Sequence, residues 1–144
     1  EWHQAAEPLS EQQGCNVTAR PPQIRPAGAN GCATAANVYD LVGNVWEWVD
    51  AEVVQGSYQG RIVPASGYVT LVDTSGVVVE THPTSSSPTF DTAYSWVREA
   101  SVGGIVKGGF YGSGNDAGRY AQQVGLPLDT QTAGIGFRCI RDLI

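Results

Sequence analysis

The chain has 144 residues, of which 42% are hydrophobic and 15% charged, and its formal net charge is −6. This length and composition predict one folded domain, rich in turns because it contains 18 Gly and 8 Pro. The acidic balance argues against nucleic acid or an anionic membrane as a partner, and no apolar run approaches the roughly eighteen residues of a membrane span.

The first predicted elements are a short helix and a long loop. Residues 1–6 are typical of the end of a helix, which Pro8 would stop. The stretch from Gly14 to Cys32 contains three prolines and follows neither the helix nor the strand period. We therefore expect an irregular loop there.

The three cysteines are Cys15, Cys32 and Cys139, and none has the close spacing of a zinc or redox site. A bridge between Cys15 and Cys32 would close the long loop and stabilise the fold by about 3 kcal/mol on the chain-entropy model. We favour this pairing, and the alternative is a bridge from Cys15 to Cys139 that leaves Cys32 free. Either bridge implies an oxidising compartment, and so an extracellular or periplasmic location.

The central part of the chain has several strand patterns. Residues 38–49 predict a turn at Gly43-Asn44 and then a strand with alternating faces. Residues 68–80 predict a hairpin around the turn at 73–76. Further expectations are a polar loop at 83–89, a short helix at 90–100, and strands at 105–111 and 136–140, the first of them followed by a loop through Gly118.

Four short blocks follow one another along the chain, namely EWHQAA at 1–6, GNVWEW at 43–48, KGGF at 107–110 and GFRC at 136–139. In this order they resemble the EWE helix, GNVWEW block, RGGS strand and GFRC strand of the formylglycine-generating enzyme (sulfatase-modifying factor) family. His3, Lys107 and Phe110 depart from the family's residues. The resemblance implies an α+β fold of the C-type-lectin-like kind, with a small twisted antiparallel sheet, long loops and little regular secondary structure.

The resemblance also implies how the domain is organised. Family members begin with a strand and a helix before the first block, and the stretch at 51–101 is longer than the family spacing suggests. We therefore expect residues 1–144 to be the C-terminal portion of one such domain, with an insertion at 51–101. An upstream fragment or a neighbouring subunit would then complete the sheet.

The family's oxidase chemistry requires two cysteines after the RGGS block that bind copper as thiolates. Counting from KGGF, those positions fall on Ser113 and Gly118, which cannot hold Cu(I). The family has a structural cysteine at Cys139, whose usual partner position here is Ala6, so we expect Cys139 to be a buried free thiol. We expect no copper and no catalytic residues.

The resemblance implies a calcium site at the GNVWEW block. Residue by residue, its ligands fall on the Asp40 side chain, the Gly43 and Val45 carbonyls and the Glu47 side chain. Hard oxygen ligands of this kind suit calcium. In the alternative without metal, Asp40 caps the turn and Glu47 hydrogen-bonds buried backbone groups.

These expectations favour a non-catalytic recognition domain that binds a protein or glycan through loops at 51–67, 81–101 and 111–133. The hypervariable binding proteins of this fold vary between the RGGS and GFR strands, which here gives the contact candidates Tyr111, Ser113, Asn115, Asp116, Arg119 and Tyr120. The alternatives are a structural subunit of an extracellular assembly and a family enzyme with altered chemistry.

Overall fold

The computed structural model describes residues 1–6, 14–29 and 31–139, which form one short helix and a strand-rich sheet. Helix α1 spans Trp2–Ala6. The strands are β1 Trp46–Val54, β2 Ser57–Tyr58, β3 Arg61–Ile62, β4 Gly67–Val72, β5 Val78–His82, β6 Tyr94–Val97, β7 Val102–Gly108, β8 Gly118–Leu126 and β9 Ile135–Gly136. Within the described ranges, no helix has the length and apolar character to cross a membrane.

The nine strands form one sheet in the order β3-β2-β1-β7-β8-β6-β4-β5, and β9 pairs in parallel with the start of β1. Neighbouring strands are antiparallel along most of this order, and the β6–β8 pair is parallel. The sheet curls, and this brings Arg61 on β3 into an ion pair with Asp73 in the turn between β4 and β5. The two ends of the strand order therefore approach each other.

Strand β7 lies at the centre of the sheet, and its two faces pack into different clusters. Val106 belongs to a cluster with Trp46 and Val69, and the Trp46 ring meets the Trp96 ring edge to face. Ile105, one residue earlier, packs with the buried Val53 and Val124. This alternation is what a strand buried on both faces requires.

The long loop at 14–29 and 31–32 is held to the sheet by the Gly43-Asn44 turn. Asn44 has a left-handed backbone, and its side-chain oxygen accepts hydrogen bonds from Arg25 N and Asn16 Nδ2. The disulfide between Cys15 and Cys32 closes this loop, which is the pairing that the sequence favours. The free Cys139 is exposed, so the expectation of a buried thiol is wrong.

Two predicted elements differ from the structure. The helix expected at 90–100 is absent, because a single 3-10 turn at Pro88–Phe90 ends at Asp91 and Thr92, which both have left-handed backbones, and strand β6 follows. Strand β8 at Gly118–Leu126 occupies the middle of the loop expected at 111–133. Strand β8 has seven buried residues among nine, and such near-continuous burial hides the period-2 alternation that identifies a strand.

Candidate functional site

Glu47 on β1 is the more completely hydrogen-bonded of the two carboxylates predicted to bind calcium. It is only 4% exposed. Arg138 Nε lies 2.9 Å from Oε1 and 2.8 Å from Oε2, and Arg138 Nη2 donates to Oε1 as well. Trp2 Nε1 donates to Oε2 over 2.7 Å. Both oxygens are therefore occupied by donors from the two ends of the described chain.

Asp40 is also buried, at 5% exposure, but its carboxylate is less completely bonded. Oδ2 accepts a hydrogen bond from Gly28 N over 2.7 Å. Oδ1 is shielded from solvent and has no donor among the described residues. A buried carboxylate oxygen without a donor is costly, so this atom is the best candidate ligand for a cation in the block.

As arranged in this structure, the predicted calcium ligands do not form a complete site. The Asp40 oxygen fits a cation, whereas the Glu47 carboxylate is already neutralised by a guanidinium that also donates to Tyr39 O. In the part of the chain that the structure describes, no three His, Cys, Asp or Glu side chains form a group able to hold a metal. Glu47 could join a calcium site only after Arg138 had left it.

Ser113 lies in the middle of the turn at 109–117 that joins β7 to β8, and Gly118 directly follows this turn. Ser113 Oγ accepts a hydrogen bond from Phe110 N over 3.0 Å, so the hydroxyl is used to close its own turn. Gly118 begins β8 and pairs with Gly108 of β7. The positions that would carry copper ligands are thus structural parts of the turn and of β8.

The six predicted contact residues do not all reach the surface. Asn115 is exposed, and Tyr111, Ser113, Asp116 and Arg119 are half-buried around the same turn. Burial raises the pKa of the Asp116 carboxyl. Tyr120 is only 6% exposed and packs against the rings of His3 and Phe90, so it offers little surface to a ligand. Its place within β8 explains the difference.

A strained residue supports the same turn from the neighbouring segment. Thr92 has a φ of 56°, which is rare for a β-branched residue and costs about 1 to 3 kcal/mol. Its Oγ1 donates to Asn115 O over 2.8 Å. The segment before β6 therefore holds the β7–β8 turn in place.

Sequence reasoning did not single out a row of buried polar residues that crosses four strands. Glu47 of β1 lies opposite Lys107 of β7, Lys107 lies opposite Gln122 of β8, and Gln122 lies opposite Ser95 of β6. Directly paired residues share a face of the sheet. The available signal was Lys107 itself, a charged residue two positions after the apolar Ile105 and therefore on the same face of a predicted strand.

Residues 6–143 match the family model of the sulfatase-modifying factor enzyme 1-like domain. The chain belongs to this family. No curated protein and no solved structure gives a significant match. The sulfatase-modifying factor match, the strand-rich curled sheet and the sparse helix agree with the predicted C-type-lectin-like α+β fold.

Proposed function

We propose that this sulfatase-modifying factor domain is a non-catalytic binding domain. The observation that supports it most directly is the pair of residues at the family's copper positions. Ser113 offers a hydroxyl that already accepts from Phe110, and Gly118 has no side chain. Soft Cu(I) needs thiolate ligands, which neither position supplies.

The binding surface that we propose is the β7–β8 turn, with Tyr111, Asn115, Asp116 and Arg119 as its contact residues. Aromatic and adaptable polar side chains of this kind suit recognition surfaces. The turn is fixed by the Thr92 bond to Asn115 O. We propose a protein or a glycan as its ligand, and neither nucleic acid nor a membrane, because the chain is acidic.

A copper titration tests the absence of catalysis. The purified chain is titrated with Cu(I) against a competing chelator and incubated with oxygen and a cysteine-containing peptide. We expect no stoichiometric tight binding and no oxidation of the peptide cysteine. Tight binding that Ser113→Ala abolishes would instead support an enzyme with altered chemistry.

An array of glycans and secreted proteins tests the binding role. The wild-type domain is compared with Tyr111→Ala and with Tyr39→Ala, a matched change of an exposed tyrosine outside the turn. We expect the array to contain ligands whose affinity falls by about tenfold or more in Tyr111→Ala and is unchanged in the control variant. Ligands that bind both variants equally would place recognition elsewhere on the domain.

The proposed location is extracellular or periplasmic, and the Cys15–Cys32 bridge supports it because such bridges persist in oxidising compartments. We also propose that an upstream fragment or a neighbouring subunit covers the strand β3 edge, where Ile62 is highly exposed. Sedimentation of the purified chain tests this proposal. A stable, soluble monomer would contradict it.

A further inference from the structure

The concave side of the curled sheet carries an open cavity of about 370 Å³ that is separate from the β7–β8 turn. Residues of β1, β2, β7 and β8 line it, the β4–β5 turn lies on one side, and helix α1 lies across one end. The volume falls within the range of about 300 to 1,000 Å³ that is usual for small-molecule sites. It is therefore large enough for a small organic molecule.

Lys107 is the most unusual group in the wall of this cavity. It is only 7% exposed, and its Nζ reaches from β7 across the curl to donate to Gly76 O over 2.9 Å. Nζ also lies 5.8 Å from the centre of the Trp2 ring. A lysine ammonium has three donors. Among the described residues, Gly76 O is the one oxygen that accepts from it.

Within the described part of the chain, Lys107 forms no ion pair within 4 Å, and the acidic group that acts on its charge is Asp73, whose carboxylate is itself paired with Arg61. Glu47 lies directly opposite in the β1–β7 pair, but its carboxylate is bound by Arg138 and Trp2. Burial lowers the pKa of Lys107 to about 8, so the amine is still mostly protonated at neutral pH. A buried cation of this kind is costly unless an anion approaches it.

The remaining walls restrict the chemistry of that anion. Trp2, Tyr58, Ile105 and Val77 provide apolar and aromatic surface along the cavity. Glu1 and Asp50 also line it and would repel a molecule with several negative charges. The Lys107 ammonium, which forms no ion pair among the described residues, thus fits one carboxylate on a small apolar body.

We propose that this cavity is a binding site for a small organic monocarboxylate, with the carboxylate on Lys107 Nζ and its apolar body against Trp2 and Tyr58. A carboxylate would accept the ammonium donors that Gly76 O leaves unused. The site does not depend on the β7–β8 turn or on the proposed recognition of a protein or glycan.

Phenylacetate is a suitable probe, with the neutral phenylacetamide as its matched control. Binding to the wild-type chain is measured by isothermal titration calorimetry and compared with Lys107→Met, which keeps the unbranched stem, and with Arg98→Met, which removes an exposed cation that does not line the cavity. We expect saturable phenylacetate binding that Lys107→Met weakens by about tenfold or more and Arg98→Met leaves unchanged. Equal affinity in wild type and Lys107→Met, or no saturable binding to wild type, would overturn the proposal.

A second measurement avoids the lysine variant altogether, in case it does not fold. Lys107 is the single lysine of the 144-residue sequence, so amine acetylation followed by mass spectrometry reports on it alone apart from the N-terminus. We expect phenylacetate to slow acetylation of Lys107 and phenylacetamide to leave the rate unchanged. If both compounds slow it equally, or neither does, the carboxylate does not bind Lys107.

Discussion

Arg138 forms a bidentate hydrogen-bonded ion pair with Glu47 across 91 residues of sequence. The Glu47 side chain is almost fully buried, whereas the Arg138 side chain is 34% exposed. The pair fixes the segment just after β9 to the GNVWEW block. The chain also contains a more exposed ion pair, Arg61–Asp73, so the contributions of a buried and an exposed pair to stability can be compared.

Replacing Arg138 by Gln should destabilise the fold, since it leaves a buried carboxylate without its cation. We expect a loss of about 2 to 3 kcal/mol in the free energy of unfolding, measured by urea denaturation. The matched change Arg61→Gln breaks the more exposed pair with Asp73 and should cost about 1 kcal/mol or less. Similar losses in the two variants would contradict a structural role for the Glu47 pair.

Calcium binding at Asp40, Gly43, Val45 and Glu47 stays a prediction that a titration can decide. A calcium ion and the Arg138 guanidinium would compete for the same Glu47 oxygens. We therefore expect Arg138→Gln, under conditions where circular dichroism shows it folded, to bind calcium about tenfold more tightly than wild type by calorimetry. Asp40→Asn in the same background should weaken that binding. No binding to either protein would rule out this ligand set.

The Cys15–Cys32 bridge should contribute about 3 kcal/mol to stability, because it closes a loop with a sequence separation of 17. We expect the double change of both cysteines to Ser to lower the free energy of unfolding by this amount. Cys139→Ser is the control and should have little effect, since that thiol is free and exposed. Alkylation before reduction should label one cysteine, and a second labelled site would contradict the bridge.

Stability should depend on pH through Lys107, whose burial lowers its pKa from 10.5 to about 8. Between these two values the unfolded chain binds the proton more tightly than the folded chain, so the free energy of unfolding rises with pH in that window. Lys107→Met should lack this rise. Urea denaturation across the window, with Cys139→Ser in both proteins to prevent thiol exchange, measures the difference. If the free energy of unfolding changes with pH in the same way in both proteins, Lys107 is not buried as a cation.

Gly108 should not tolerate a side chain, for two separate reasons. Its φ is 94°, and an added Cβ would lie 2.2 Å from Leu41 O. We expect Gly108→Ala to cost about 3 kcal/mol or more by thermal or urea unfolding. Gly60→Ala is the control, because its φ of 79° gives similar strain with open space around the Cβ, and it should cost about 1 kcal/mol. Equal costs would show that the Leu41 contact is not rigid.

The sequence identified the family, the Gly43-Asn44 turn, the strand after it and the 68–80 hairpin, because their signals are local. Strand β6 could not be predicted in the same way, since Phe90, Tyr94 and Val97 have helical spacing. The left-handed residues Asp91 and Thr92, which end that pattern, depend on tertiary contacts.

The candidate site was predictable only in part. Ser113 and Gly118 follow from counting along a motif, and the structure adds that the hydroxyl closes the turn. The partner of Glu47 was not predictable, because Arg138 is far away in sequence and only the β1–β9 pair brings it near. The sequence showed Lys107 only as part of the KGGF block. Its burial depends on the curl of the sheet, which no local sequence pattern predicts.

The parallel pair between β1 and β9 has a consequence for synthesis of the chain. Trp46 and Glu47 leave the ribosome long before Ile135 and Gly136, their partners across the pair. Until then the start of β1, with its apolar Trp46, has an open edge that another chain can pair with. We therefore expect the yield of folded domain to depend on chaperones and on the rate of translation.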